Sequence, residues 1–400
     1  MATASETVSQ WSRRSVLVGA TFLLAWQGAT LVGFPHRVGV VLGLYGFALH
    51  VLFGKAYALV PTYFDRSLAF PRAPAVQLPL TTVGVVGMAV AASGLVPTAG
   101  RTVAGAGGAT VWAAGVAVFL GTQAWTIRDN LTGAETATGE ANADRRPVDR
   151  AANAVVPVAL AYLLAGTYGT LAAWTALPPL IDGYLPRTSH LLAAGAVALV
   201  LFGVGFRLLP RFLTARPPRW LVAVVLPTGA VGPAVLAATL PAGGWFVAGA
   251  VLEATAVVGF ALAYLALFVR SDRRRVGFYG VLAGAACGVL GVALGLWFAL
   301  RGLVPSLLHA HFRLNVLGFL GLTTVGVTYQ FYPPAVGTFP GASDRGALAV
   351  LGLLLGGLGL QVAGLVAGVA GVETLGAVVS TAGALAYVAL LAGLFRERYG

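Results

Sequence analysis

The chain has 400 residues, of which 58% are hydrophobic and only 10% are charged, and its mean hydropathy is +0.86. A soluble domain carries about 25% charged residues on average, so the composition excludes an ordinary soluble protein. The net charge of +12 is typical of nucleic-acid binding, but the basic residues follow membrane topology instead, and no nucleic-acid partner is expected. Cys287 is the only cysteine, which excludes disulfides, a thiolate metal cluster and covalent haem attachment through C-x-x-C-H.

Apolar stretches long enough to cross about 30 Å of hydrocarbon recur from end to end of the chain. The first 14 residues are polar, and the stretch that follows lacks a cleavage site, so we expect no cleaved signal peptide. The sequence therefore predicts an all-α polytopic membrane protein in contact with the lipid bilayer. We predict its twelve transmembrane helices at 15–33, 38–64, 77–96, 103–127, 151–177, 188–213, 219–240, 244–268, 276–300, 306–332, 346–369 and 373–394.

The basic residues lie mostly on one side of this arrangement. If the N-terminus is inside, the termini and the even-to-odd loops hold 19 of the 25 Lys and Arg residues, and the opposite loops hold four. Lys55 and Arg313 lie within helices. This bias predicts a multi-pass protein of the plasma membrane with both termini in the cytoplasm. The longest polar segment, 128–150, is then a cytoplasmic loop, and its Thr, Ala, Glu and Asp content predicts disorder.

A short pattern closes three of the predicted helices: Gly, two residues, an aromatic residue, three residues, Pro. It reads GKAYALVP at 54–61, GVGFRLLP at 203–210 and GVTYQFYP at 326–333. These copies end helices two, six and ten, and each of those helices also has histidine near its start. The regular spacing predicts three pseudo-repeated four-helix units in one membrane domain, and we expect helices two, six and ten to line its interior. Their limits are 1–150, 151–275 and 276–400, and the pattern does not fit a transporter built from two six-helix halves.

Four of the five histidines fall in the first two turns of helices two, six and ten. At 1.5 Å per residue, His36, His190, His309 and His311 differ in depth by only about 7 Å, near the outer leaflet. Ionisable residues at membrane depth are candidates for function, and neutral imidazole is a ligand of metals and haem. Each histidine taken alone could instead bond a headgroup or a backbone carbonyl. His50 lies about 21 Å deeper than His36 and is predicted to be a packing or pore residue.

The two histidines of helix ten are separated by one residue. His309 and His311 therefore lie about 200° apart around the helix axis and point to opposite sides. They cannot chelate one metal ion in the manner of an i, i+4 pair. Each could instead ligate a different haem.

With these features the chain resembles subunit I of the haem-copper oxidase superfamily, and most closely the cbb3-type oxidase and nitric oxide reductase branch. His309-Ala-His311, the LGFLGL run at 317–322 and the closing pattern at 326–333 are similar to helix ten of that family. Ser189-His190 with the pattern at 203–210 is similar to its helix six. The resemblance spans the chain in topology, whereas local likeness is confined to helices two, six and ten.

The resemblance implies one or two haems, b-type by expectation, and a role in electron transfer or in nitric oxide or oxygen handling. His36 and one helix-ten histidine would hold a low-spin haem, the other would hold a second haem, and His190 would face that haem's open side. The family pattern suggests His311 for the low-spin haem, whereas depth along the helices matches His36 with His309, so both remain open. Arg313 would pair with a haem propionate or reach the outer interface. A small electron-donating subunit or a quinol would supply electrons.

Copper is not expected. The copper site of this family uses two adjacent histidines on helix seven, and residues 219–240 contain none, so His190 alone would bind the ion too weakly. Oxidoreductase activity is left open by the sequence. Glu253 is the only carboxylate well inside a helix, and it could relay protons or pack against a neighbour. Two further interpretations are an NnrS-like haem and copper membrane protein of the nitric oxide response, and a transporter or structural membrane protein without a cofactor.

Overall fold

The computed structural model describes residues 3–399, and these residues form twelve helices long and apolar enough to cross a membrane. Residues 3–399 contain no β-strand. The predicted all-α architecture of a polytopic membrane protein is thereby confirmed. The helices are α1 Ala4–Val32, α2 His36–Tyr63, α3 Ala73–Ser93, α4 Thr98–Asn130, α5 Glu140–Trp174, α6 Leu185–Phe212, α7 Arg219–Thr239, α8 Gly244–Arg270, α9 Val276–Arg301, α10 Pro305–Val336, α11 Asp344–Ala367 and α12 Ala370–Tyr399.

Helices α2, α6 and α10 lie at the centre of the bundle. In the apolar 18-residue stretch of each of these helices, 78%, 61% and 78% of the residues are buried. The corresponding share is 39–50% in the other nine spans of the described chain. Each central helix contains a π-helical segment, at Val41–Ala48, Leu191–Ala198 and Leu314–Leu322, and the three segments pack against one another. The prediction that these helices line the interior is confirmed. The grouping into three four-helix units stays a prediction.

The remaining helices surround this centre, and α12 packs on α1 to close the ring. Small residues allow close approach where neighbours touch, as membrane helices require in the absence of a hydrophobic drive between them. At the contact of α3 with α4, a Cβ atom on Gly108 would lie 2.7 Å from the backbone nitrogen of Met88 and 2.9 Å from the carbonyl oxygen of Gly84. These two helices could not approach so closely with a larger residue there.

The first helix begins eleven residues earlier than predicted. It starts at Ala4, where the Thr3 hydroxyl accepts a hydrogen bond from the Glu6 amide at 3.2 Å, and the Glu6 carboxylate accepts one from the Thr3 amide at 2.7 Å. This capping box satisfies two amides that the start of a helix leaves free. The predicted start at residue 15 was wrong because polar residues mark exposure to water and not the end of a helix.

The 128–150 segment is folded, so the prediction of disorder is wrong. It contains short 3₁₀ turns at Arg128–Asn130 and Glu140–Arg145. The Asn130 amide donates to the Phe64 carbonyl at 3.1 Å, and the Asn153 amide of α5 donates to the Tyr63 carbonyl at 2.8 Å. The end of a helix leaves its last carbonyls without partners, and Asn130 of the segment and Asn153 just beyond it supply partners for α2.

A buried ion cluster lies beside this segment and consists of Asp149, Arg207 and Arg211. The Asp149 carboxylate, only 1% exposed, accepts from Arg211 Nη1 and Nη2 at 3.1 and 2.6 Å and lies 3.5 Å from Arg207 Nε. Arg207 also donates to the Tyr63 carbonyl at 2.8 Å and to the Asn153 side chain at 2.5 Å. In the sequence these two arginines were counted only as part of the positive charge on the cytoplasmic side. In the structure they join α5 and α6 to the end of α2.

Candidate functional site

A cavity of about 430 Å³ opens among the central helices at the end of the bundle where α2, α6 and α10 begin, called here the histidine end. Small-molecule sites typically measure about 300–1,000 Å³. Apolar side chains line most of the cavity, and all four histidines of the predicted layer also line it: His36, His190, His309 and His311. The structure thus brings together side chains that are up to 275 residues apart in the sequence.

The four imidazoles form two pairs, and the first pair joins α2 to α10. The ring centres of His36 and His309 are 4.4 Å apart, with 23° between their planes, and Phe312 meets the His36 ring edge-on at 4.9 Å. Neither imidazole forms a hydrogen bond with another residue among 3–399. This neighbourhood agrees with the depth match of His36 and His309 and not with the family pattern, which suggests His311 as the partner of His36.

The second pair joins α6 to α10. The ring centres of His190 and His311 are 6.4 Å apart and their planes differ by 25°. His190 Nδ1 lies 2.8 Å from the Pro186 carbonyl oxygen, and His311 Nδ1 lies 2.8 Å from the Gly291 carbonyl oxygen. A carbonyl only accepts, so each Nδ1 carries the proton and donates it. The lone pair of each neutral ring is then on Nε2, which is the tautomer that metal-bound histidines commonly adopt.

The ring spacing distinguishes the two pairs. Two imidazole nitrogens on opposite sides of one metal ion, each about 2 Å from it, place the ring centres about 6 Å apart. His190 and His311 have this spacing, whereas His36 and His309 are closer by about 2 Å. The ring-centre spacing of His190 and His311 is therefore the one that two ligands of a single iron would have. His36 and His309 would have to separate before they could hold one.

Three polar side chains that the sequence analysis did not single out also line the cavity: Asn315, Tyr45 and Thr170. Asn315 Nδ2 donates to the His311 carbonyl at 2.8 Å. Asn315 lies four residues after His311, and this spacing was the signal in the sequence that could have identified it. The Tyr45 hydroxyl and the Thr170 hydroxyl are 3.0 Å apart and line the same cavity. Glu253 is also among the lining residues, but its Oε1 is buried against Gly232 of α7, where a Cβ atom would lie 2.7 Å from it. This oxygen has no hydrogen-bond partner within residues 3–399, so it is not hydrogen-bonded to a neighbouring helix.

The arginines are placed differently from the prediction. Arg313 does not line the cavity; its guanidinium pairs with Glu373, the first acidic residue of α12, at 2.8 Å. Arg37 does line it and lies with its guanidinium 3.8 Å from the centre of the Trp174 ring. Sequence analysis did not single out Arg37, because it was counted only as one of the four basic residues in the loops opposite the termini.

His50 lies apart from the cavity and is fully buried. Its Nδ1 lies 3.0 Å from the Tyr45 carbonyl oxygen, and its Nε2 lies 3.1 Å from the Thr81 hydroxyl. These bonds tie α2 to α3, so His50 is the packing residue of the two predicted alternatives.

No group of three or more His, Cys, Asp or Glu side chains within 3–399 has an arrangement that could hold a metal ion. Comparison of the chain with protein-family models and with curated proteins gives no match.

Proposed function

We propose that this protein is an integral membrane haem-binding protein that carries electrons, and that His190 and His311 are the two residues that would hold one haem. The proposal depends on the spacing of these two rings, 6.4 Å, at a cavity that lies among the three most buried helices. It retains the resemblance to haem-copper oxidase subunit I as a proposal. It changes the ligand pair from the one that the resemblance implied.

The protein's own groups orient the ligands. The carbonyls of Pro186 and Gly291 fix the tautomer and the direction of the two rings, and such bonds also make the ligating nitrogen more basic. Asn315 bonds the backbone of His311 one turn further along α10 and holds its position. Apolar side chains line most of the cavity around the two rings.

A bound haem would supply a one-electron redox centre whose potential is set by its ligands and by burial. His190 and His311 would both be engaged as ligands of the bound group, so this arrangement favours electron transfer over activation of oxygen or nitric oxide. Electrons would arrive from a small donor subunit or a quinol, which remains part of the proposal. No soluble domain that could act as an internal donor lies within residues 3–399.

Reduced-minus-oxidised spectra of the purified protein test the proposal. We expect a low-spin bis-histidine haem spectrum in the wild type and its loss in both His190→Ala and His311→Ala. Ser189→Ala is the matched control, because Ser189 adjoins His190 and lines the cavity but its hydroxyl is not an axial haem ligand of the histidine type. Absence of haem from the wild type, even after incubation with haem, would refute the function. Loss of the spectrum in His36→Ala and not in His190→Ala would refute the ligand assignment.

A further inference from the structure

Five arginines lie at or near the histidine end, and two of them, Arg187 and Arg313, already have carboxylate partners. Of the other three, Arg37, Arg101 and Arg301, only Arg37 lines the cavity. Arg187 donates to Asp182 at 2.8 and 2.7 Å, and these bonds hold the pKa of that carboxyl at about 2. Arg313 pairs with Glu373 at 2.8 Å. Arg37 has no carboxylate within 4.0 Å among residues 3–399, although its guanidinium lines the cavity.

The contact of Arg37 with Trp174 leaves its donors free. The guanidinium carbon lies 3.8 Å from the centre of the Trp174 ring. A guanidinium that stacks on an aromatic ring does so with its face, so its N–H groups, which lie in its plane, point away from the ring and can still bind a planar anion with two hydrogen bonds. A stacked guanidinium also loses less conformational freedom on binding, because the ring already restrains it.

The polar groups of the cavity differ between its mouth and its floor. Arg37 is the second residue of α2, whereas Glu253 is the tenth residue of α8, so Glu253 lies about 12 Å deeper when both helices are counted from the histidine end. Arg37 at the mouth would attract an acidic group of a ligand, whereas the buried Glu253 carboxyl at the floor offers it no positive charge. The apolar wall between them suits the apolar part of the same ligand.

We propose that Arg37 is the anion-recognition residue of this cavity, and that its ligand is a flat apolar molecule with at least one carboxylate directed to the mouth. The inference rests on the proposed haem function and assigns to Arg37 one of the two roles that were predicted for Arg313. Arg313 is less suited to this role, because its charge is already neutralised by Glu373.

Two probes test it with the full-length protein in detergent: iron protoporphyrin IX, and its dimethyl ester, which has the same ring and iron but no free carboxylate. Titration followed by absorbance gives the affinity of each. We expect the wild type to bind the free acid about tenfold more tightly than the ester, which is the worth of one charge-assisted hydrogen-bonded pair. Arg37→Gln should remove this preference by weakening only the free acid, and Arg37→Lys should retain part of it.

Arg313→Gln is the matched control and should leave the preference unchanged. Equal affinity of the two probes for the wild type would overturn the inference, and this comparison needs no variant to fold. A preference that persists in Arg37→Gln would overturn it as well. If neither probe binds the wild type, the proposed haem function itself fails, so the two failures are distinguishable.

Discussion

Replacement of Asp149 by asparagine tests whether the buried ion cluster holds the end of α2 opposite the histidines. The change preserves the shape of the side chain and removes its charge. Arg207 and Arg211 would then face a neutral amide in place of the carboxylate that accepts bonds at 3.1 and 2.6 Å. Arg207 is only 3% exposed, so its charge would stay buried without a counter-ion.

Removal of one partner from a buried ion pair costs about 3–5 kcal/mol. We expect about 3 kcal/mol for Asp149→Asn, the lower end of that range, because Arg211 is 34% exposed and can recover hydration. The matched control is Asp144→Asn in the same segment. Asp144 pairs with Arg216 at 2.9 Å, but the two side chains are 38% and 75% exposed, so its loss should cost about 0–1 kcal/mol.

The free energy of unfolding can be measured for both variants by equilibrium denaturation in mixed micelles, followed by circular dichroism. A second measurement in high salt should weaken the contribution of Asp144 and leave that of Asp149 almost unchanged, since buried pairs are screened little. Equal and small losses in the two variants would refute the argument that burial makes the Asp149 cluster structural.

Three further outcomes are expected. Gly108→Ala should lower the free energy of unfolding by about 1–3 kcal/mol, because its new methyl group meets the backbone of α3. In the control Gly107→Ala the new methyl group has no neighbouring atom within 4 Å, so this change should be neutral or slightly stabilising. A cysteine at Ala137 should react with a membrane-impermeant thiol reagent only from the cytoplasmic side and one at Leu180 only from the opposite side; labelling of both from one side would contradict the charge-based topology. Metal analysis of the purified protein should find no stoichiometric copper, because His190 lacks the helix-seven histidines; a stoichiometric amount that His190→Ala does not change would show that the ion binds elsewhere.

The sequence alone predicted the twelve spans and the central place of α2, α6 and α10. It could do so because hydropathy over about 20 residues and the rise of 1.5 Å per residue are properties of a single helix. The same arithmetic placed His36, His190, His309 and His311 in one layer, and all four line one cavity. The depth of a residue along its own helix axis can be calculated without knowing which helices lie beside it.

Which side chains contact one another between helices depends on the rotation of each helix about its own axis and on which helices are neighbours. Only the tertiary structure decided these contacts. The π-helical segments begin directly after His190 and after Arg313, where each residue turns by less than the 100° of an α-helix, so angles extrapolated through them from the sequence are unreliable. Arg313 meets Glu373, 60 residues away, because α10 packs against α11 and α12 follows it in the ring. The 128–150 segment is ordered for a similar reason: its composition predicts disorder, but α2 ends beside it with free carbonyls, which Asn130 of the segment and Asn153 of α5 satisfy.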